Sequence, residues 1–190
     1  MVVVELTQQR EINMKSKFLK LFKQECLTYG DFTLASCQKS SYYLNSKKIL
    51  CHPIGIELLG CILYEELKDL DFDCIGGPET GAISMATTTV LQFCKSNRFI
   101  NSFYVRKDKK GYGSNCLVEG QIKAKDRVVV LEDVMTTGGS VRKAIDNLEY
   151  MGCEVIKIVC ICDRLCGATE NLSKYNYKPL FNINEVMSVT

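Results

Sequence analysis

The chain has no apolar run of about 18 residues, so no helix in it is long enough to cross a bilayer. Charge of one sign is not in excess either. Its 24 Lys and Arg against 22 Asp and Glu leave a net charge of +2, so any anion site has to be local and no bulk pull toward nucleic acid or membrane is expected. Histidine is nearly absent, with His52 alone, which removes zinc sites that need a pair of imidazoles. No internal repeat or low-complexity stretch is present, which excludes solenoids and arrays. Gln9, Arg10 and Glu11 interrupt the one early apolar run, so no secretory signal is expected.

What the chain does have is cysteine: 11 residues, an odd number, from Cys26 to Cys166. Without a secretory context these read as reduced thiols, and the expected location is the cytoplasm. Cys160, Cys162 and Cys166 are the one cluster that could be weighed as a metal site. Their spacing matches no common zinc pattern, and Val159–Cys162 reads instead as a buried strand in which cysteine acts as a small hydrophobe. The 190 residues, 46% hydrophobic and 24% charged, suit one globular domain over residues 1–190.

Residues 1–14 show no clear pattern and read as a loose terminus. Phe18, Leu19, Phe22 and Leu27 recur at helical spacing and predict an amphipathic helix over Ser16–Tyr29, stopped by Gly30 and Asp31. A Thr-, Ser- and Tyr-rich stretch predicts a hairpin, with strands Phe32–Leu34 and Tyr42–Asn45 around Ser36–Ser41. Helical patterns follow over His52–Lys68, Ala82–Cys94, Gly139–Met151 and Thr169–Lys174. Between them lie apolar strands at Phe72–Ile75, Ile100–Val105, Arg127–Leu131 and Val155–Cys162. Strands apolar throughout, alternating with helices, predict a doubly wound α/β fold with a mainly parallel central sheet covered on both faces.

Ligands in such sheets bind beyond the carboxyl ends of the strands. Three loops leave those ends with unusual sequences. In Val128–Ser140 an apolar strand runs into Glu132 and Asp133, then Val134, Met135, Thr136, Thr137, Gly138, Gly139 and Ser140. Glycines let backbone N–H groups converge, a helix start adds positive potential, and the hydroxyls donate; together these make a phosphate cradle. Carboxylates beside it suit sugar hydroxyls or a cationic transition state, so the ligand described is a phosphate next to a ribose. No Gly-Lys-Ser/Thr follows and no G-x-G-x-x-G is present, so this is neither a P-loop nor a dinucleotide fingerprint. The second loop, Arg106–Gly113, carries Arg106, Lys107, Lys109 and Lys110 with two glycines. A mobile cationic loop suits departure of pyrophosphate and the exclusion of water. The third is Gly76–Gly81, a strand-to-helix turn containing Glu79 and Thr80.

Val128–Ser140 resembles the signature that binds 5-phosphoribosyl-1-pyrophosphate (PRPP) in type I phosphoribosyltransferases. Arg106, Lys107, Lys110, Tyr112 and Gly113 resemble the basic loop of the orotate phosphoribosyltransferases, which reads Arg-Lys-x-x-Lys-x-His/Tyr-Gly. Phe32–Tyr43 resembles their N-terminal hood, and Asp163-Arg164 with Gly167, Glu170 and Asn171 resembles their base-contacting segment. The resemblance implies a hood over about residues 15–50 and a core over about 51–181. It implies that Glu132 and Asp133 contact ribose hydroxyls and that Thr136–Ser140 holds the 5′-phosphate. Glu79 and Thr80 would face pyrophosphate, and Arg106, Lys107, Lys110 and Tyr112 would close on PRPP. Tyr43, Thr136 and Arg164 would bind orotate, a guanidinium matching its carboxylate.

By the same resemblance Mg²⁺ is the cofactor, held by PRPP and water with no protein cage, and the molecule is a homodimer sharing loop 106–113 across its interface. The implied reaction gives orotidine 5′-phosphate and pyrophosphate, in pyrimidine nucleotide biosynthesis. Ala35 and Cys37 depart from the family's hood, the 76–81 loop lacks a lysine, and Tyr112 replaces an imidazole, leaving Lys110 or water for proton transfer. Two rivals stand beside this reading: transfer to another nucleobase, and a PRPP-sensing regulator that binds nucleic acid. The second is disfavoured by the near-neutral charge and the retained basic loop.

Overall fold

The structure, a computed structural model, describes residues 2–33, 39–108 and 117–189. Its frame is a six-stranded sheet in the order β5-β4-β3-β6-β7-β8. The central strand is β6 (Arg127–Met135), flanked by β3 (Cys74–Pro78) and β7 (Glu154–Asp163). β4 (Asn101–Val105) lies beyond β3, and β8 (Tyr177–Asn182) beyond β7. These five are parallel, and the short β5 (Val118–Gly120) adds an antiparallel edge on β4. The expected doubly wound, mainly parallel α/β fold is therefore present.

The apolar run of β6 is buried on both faces, which is why it reads as continuous rather than alternating. Val129 and Leu131 point into one core with Phe18, Leu59, Met85 and Phe93. That core is supplied by α1 (Val2–Cys26), α3 (Pro53–Leu67) and α4 (Gly81–Lys95). Val128 and Val130 point into the other, with Val141, Ile145 and Leu148 of α5 (Gly139–Tyr150). Cys160 and Cys162, neighbours in β7, divide between these two cores and are both 0% exposed. Both side chains are buried as core, as the strand reading expects.

Four features differ from the sequence expectation. Residues 2–15 are helical, part of α1, where a loose terminus was expected. A helix already nucleated by the buried Phe18 and Phe22 gains one backbone hydrogen bond per residue as it propagates, and so needs no apolar stripe to continue. The Glu11–Lys15 pair at 2.7 Å supports it on its solvent side. α1 also stops at Cys26, because Leu27–Tyr29 pair with Tyr42–Leu44 in the hairpin of β1 (Leu27–Thr33) and β2 (Lys39–Leu44). β6 continues four residues past Leu131, since β7 offers a partner as far as Asp163. Finally, α2 (Lys47–Leu50), β5, β8 and α7 (Ile183–Ser188) had no counterpart in the pattern. β8 carries Pro179, which an edge strand tolerates but a periodicity rule reads as a breaker.

Candidate active site

The chain leaves β3 for β4 on one side and returns to β6 on the other, so the strand order reverses between β3 and β6. A crevice beyond the carboxyl ends at such a point is where open α/β sheets bind ligands. The loops containing Glu79-Thr80 and Glu132–Ser140 both begin there.

Glu132 and Asp133 are buried near the carboxyl end of β6, at 9% and 8% exposure. Asp133 Oδ1 accepts from the Val134 N–H at 2.9 Å, and Oδ2 accepts from the Ser46 hydroxyl at 2.6 Å. Lys47 Nζ stands 3.8 Å from the same oxygen. Gly81, first residue of α4, is a glycine for a visible reason: a Cβ there would lie 2.5 Å from the Asp133 carboxyl carbon. Glu132 Oε1 accepts from the Asp133 N–H at 3.1 Å. Burial, and then the hydrogen bond and charge of Asp133, push the Glu132 carboxyl up to about 9.

Beyond Met135 the chain turns outward. Thr136, Thr137, Gly139 and Ser140 are exposed. Gly138 takes φ 82°, the left-handed region that favours glycine, and serves as N-cap of α5. The first-turn N–H groups of a 12-residue helix thus open onto the site, as an anion cradle requires. Asn171 Nδ2 donates to the Thr137 carbonyl at 2.8 Å and ties this loop to α6 (Ala168–Asn171).

The loop after β3 is stitched to the start of the basic loop. The Glu79 N–H donates to the Val105 carbonyl, and Glu79 Oε1 accepts from the Lys107 N–H, both at 2.9 Å. A cleft of about 360 Å³ is lined by Glu79, Arg106, Lys107, Ser140 and Lys143 among others. Four residues singled out in the sequence, Glu79, Arg106, Lys107 and Ser140, are therefore brought to one cavity. Thr80 lies at the N-cap of α4. Lys110 and Tyr112 lie outside the described residues.

One strand over, β7 ends in Asp163 and is followed by Arg164. The Arg164 N–H donates to the Met135 carbonyl at 2.9 Å, which holds the end of β7 against the end of β6. Its guanidinium lies 5.0 Å from the Tyr42 ring centroid and donates to the Tyr42 hydroxyl from Nε at 3.3 Å and Nη2 at 3.1 Å. Tyr43, the residue singled out in the sequence, sits on the opposite face of β2, 46% exposed, its ring 5.6 Å from Phe32. Successive strand residues face opposite ways, and the choice between two adjacent tyrosines had no signal in the sequence. Sequence reasoning also missed Ser46 and Lys47, which the fold brings to Asp133 from the end of the hood.

Among the described residues no group of three or more His, Cys, Asp or Glu could hold a metal ion, and no helix is long and apolar enough to cross a membrane.

Residues 45–189 match the family model described as the phosphoribosyl transferase domain. The chain is 39% identical over 180 residues to the orotate phosphoribosyltransferase of Methanocaldococcus jannaschii, covering 93% of this chain and 99% of that protein. In structure it is similar to Mycobacterium tuberculosis orotate phosphoribosyltransferase in complex with Fe(III) dicitrate, with TM-score 0.80 and 28% identity over 91% of this chain and 98% of that one. A structure of the M. tuberculosis enzyme in complex with PRPP gives TM-score 0.77 at 26% identity, covering 92% and 99%. With a match over most of the chain in sequence and in fold, and an acid pair and glycine-opened helix at the strand switch point, the chain belongs to the orotate phosphoribosyltransferases of the phosphoribosyltransferase family.

Proposed function

We propose that this chain transfers the 5-phosphoribosyl group of PRPP to a ring nitrogen of orotate, giving orotidine 5′-phosphate and pyrophosphate. The observation that carries this is the junction of β6 and β7. A buried acid pair and a glycine-opened helix start sit on one strand. An arginine that touches the hood sits on the next, bonded to the first through Met135.

The roles follow from chemistry and position. The N–H groups and hydroxyls of Thr136–Ser140 hold the 5′-phosphate, with Val134 and Met135 leading into that loop. Asp133 and Glu132 fix the ribose hydroxyls and favour the positive charge that grows on the sugar as its C1–O bond to pyrophosphate breaks. Arg106, Lys107, Lys110 and Tyr112 stabilise the departing pyrophosphate, which Glu79 and Thr80 face. Arg164 and Thr136 orient orotate for formation of the C1–N bond, and the hood covers it, with Tyr42 on the inner face and Tyr43 at the rim. Lys110 or water takes the ring-nitrogen proton. Mg²⁺ would come with PRPP and water rather than in a protein cage and would supply positive charge against the leaving group, with the oxygen donors Glu132 and Asp133 suited to such a hard cation. Most of the acceleration is positioning and preorganised charge.

In this reading residues 1–190 act as one domain, hooded at its N-terminal end. Two copies pair so that loop 106–113 of one serves the site of its partner, in the cytoplasm. The test is pyrophosphate release from PRPP and Mg²⁺ with orotate, uracil, hypoxanthine or adenine offered separately. Turnover with orotate, lost in Asp133→Asn, is the expected result. Turnover with another base instead would overturn the assignment of Arg164 and the hood, and PRPP binding without turnover on any base would make the chain a sensor.

A further inference from the structure

We infer that Ser46 is a positioning residue for the Asp133 carboxylate, so that the hood sets the geometry of the ribose site. The inference rests on the reading of Asp133 as a ribose-binding group. Ser46 is the N-cap of the four-residue α2 (Lys47–Leu50), yet its side chain makes no capping bond there. A serine in that position ordinarily gives its oxygen to a backbone N–H two or three residues on. This one is 4% exposed, and its hydroxyl donates to Asp133 Oδ2 at 2.6 Å, 87 residues along the chain.

The contact completes a clamp. The Val134 N–H holds Oδ1, Ser46 holds Oδ2, and α4 presses Gly81 against the carboxyl carbon. Lys47 adds positive charge at 3.8 Å. A carboxylate oxygen has two lone pairs, so each keeps acceptor capacity for a sugar hydroxyl while its direction is fixed. Ser46 is itself placed by the hood. The Asn45 N–H donates to the Cys26 carbonyl at 2.9 Å, and Leu27 pairs with Leu44 at the base of the hairpin. A hydrogen bond to a charged group in such a clamp does more than fill space, because it selects one carboxylate orientation.

The prediction is a pattern across four ligands, two with a ribose and two without. Ser46→Ala raises the KM for PRPP in the forward reaction, and for orotidine 5′-phosphate in the reverse, each about tenfold. The KM values for orotate and pyrophosphate stay near wild type, and kcat changes little. Ser46→Thr, which keeps the hydroxyl, restores both ribose-bearing ligands. Ser46→Cys, close in volume but a poor donor, behaves as Ser46→Ala and gives the same reading if the alanine variant does not fold. Equal rises for all four ligands, or no rescue by threonine, would show a packing role and overturn the inference, as would wild-type values in both Ala and Cys variants. Asp133→Asn is measured alongside. If it keeps wild-type turnover, the reading of Asp133 itself falls; if it loses turnover while Ser46→Ala matches wild type, the role of Ser46 alone falls.

Discussion

Two buried acids lie near the carboxyl ends of adjacent strands, and they are held in different ways. Asp163 on β7 is 1% exposed and its two oxygens are spoken for: Oδ1 accepts from the Leu165 N–H at 2.7 Å and Oδ2 from the Tyr177 hydroxyl at 2.8 Å. Glu132 on β6 is 9% exposed, accepts from the neighbouring Asp133 N–H, and is pushed up to about 9 by burial and by that neighbour. A buried carboxylate that is satisfied by the protein is scaffolding, and here it shapes the turn that carries Arg164. The buried Glu132 carboxyl meets the Asp133 carboxylate as well as that N–H, a cost that a ligand can relieve. Burial by itself would have put both acids in one class; their partners separate them.

The sharpest way to break that comparison is to neutralise one acid of each kind. Asp133→Asn keeps the shape of the β6 end but removes its charge, and turnover should fall about 10²- to 10³-fold, as for loss of one preorganised electrostatic group. Its urea midpoint should stay close to wild type. Asp163→Ala should do the reverse in order of severity. It leaves the Leu165 N–H and the Tyr177 hydroxyl inside without an acceptor, at a cost of about 3 kcal/mol in unfolding free energy. Equal stability losses in the two variants would erase the distinction between scaffold and site.

How much of this could be read from the sequence follows the same division. Val128–Ser140 stood out because one short window contains every residue of the proposed phosphate and ribose site, and its strand is apolar on both faces. Asp163-Arg164 was legible as a motif, though not the Tyr177 bond that holds it, since Tyr177 sits in a strand containing Pro179. The Ser46–Asp133 contact was invisible. It joins residues 87 apart, and a serine at a helix start reads as a cap. The length of α1 was missed for another reason: residues 1–14 show no clear helical pattern, and a helix that continues by propagation leaves no periodic trace.

Glu132 supplies a test with a pH sign. Its folded-state pKa, about 9, lies above the ordinary 4.5. The folded chain therefore keeps a proton that the unfolded chain gives up. The associated stability is complete below the ordinary value and is lost as pH rises toward the folded value. Glu132→Gln mimics the protonated side chain at every pH. It should stay within about 0.5 kcal/mol of wild type in urea at pH 4.5 and exceed it by up to about 5 kcal/mol at pH 8.5, while turnover falls. A gain of the same size at both pH values would mean that burial of the charge is not the cause.

The smallest expected effect decides which tyrosine serves the base side. Tyr42→Phe keeps the ring beside the Arg164 guanidinium but deletes the hydroxyl that both Nε and Nη2 reach. One neutral acceptor lost at a partly exposed site is worth about 0.7 kcal/mol, so the KM for orotate should rise about threefold with that for PRPP unmoved. Tyr43→Phe should have the smaller effect, because that side chain stands on the outer face of β2 with its ring against Phe32. If the order is reversed, the outer face of the hairpin must turn inward when orotate binds. The hood would then close by rotating about its base, near the Asn45–Cys26 bond, and Ser46, one residue on, would move with it. The same pair of variants therefore also tests whether the clamp on Asp133 is already set before the base arrives.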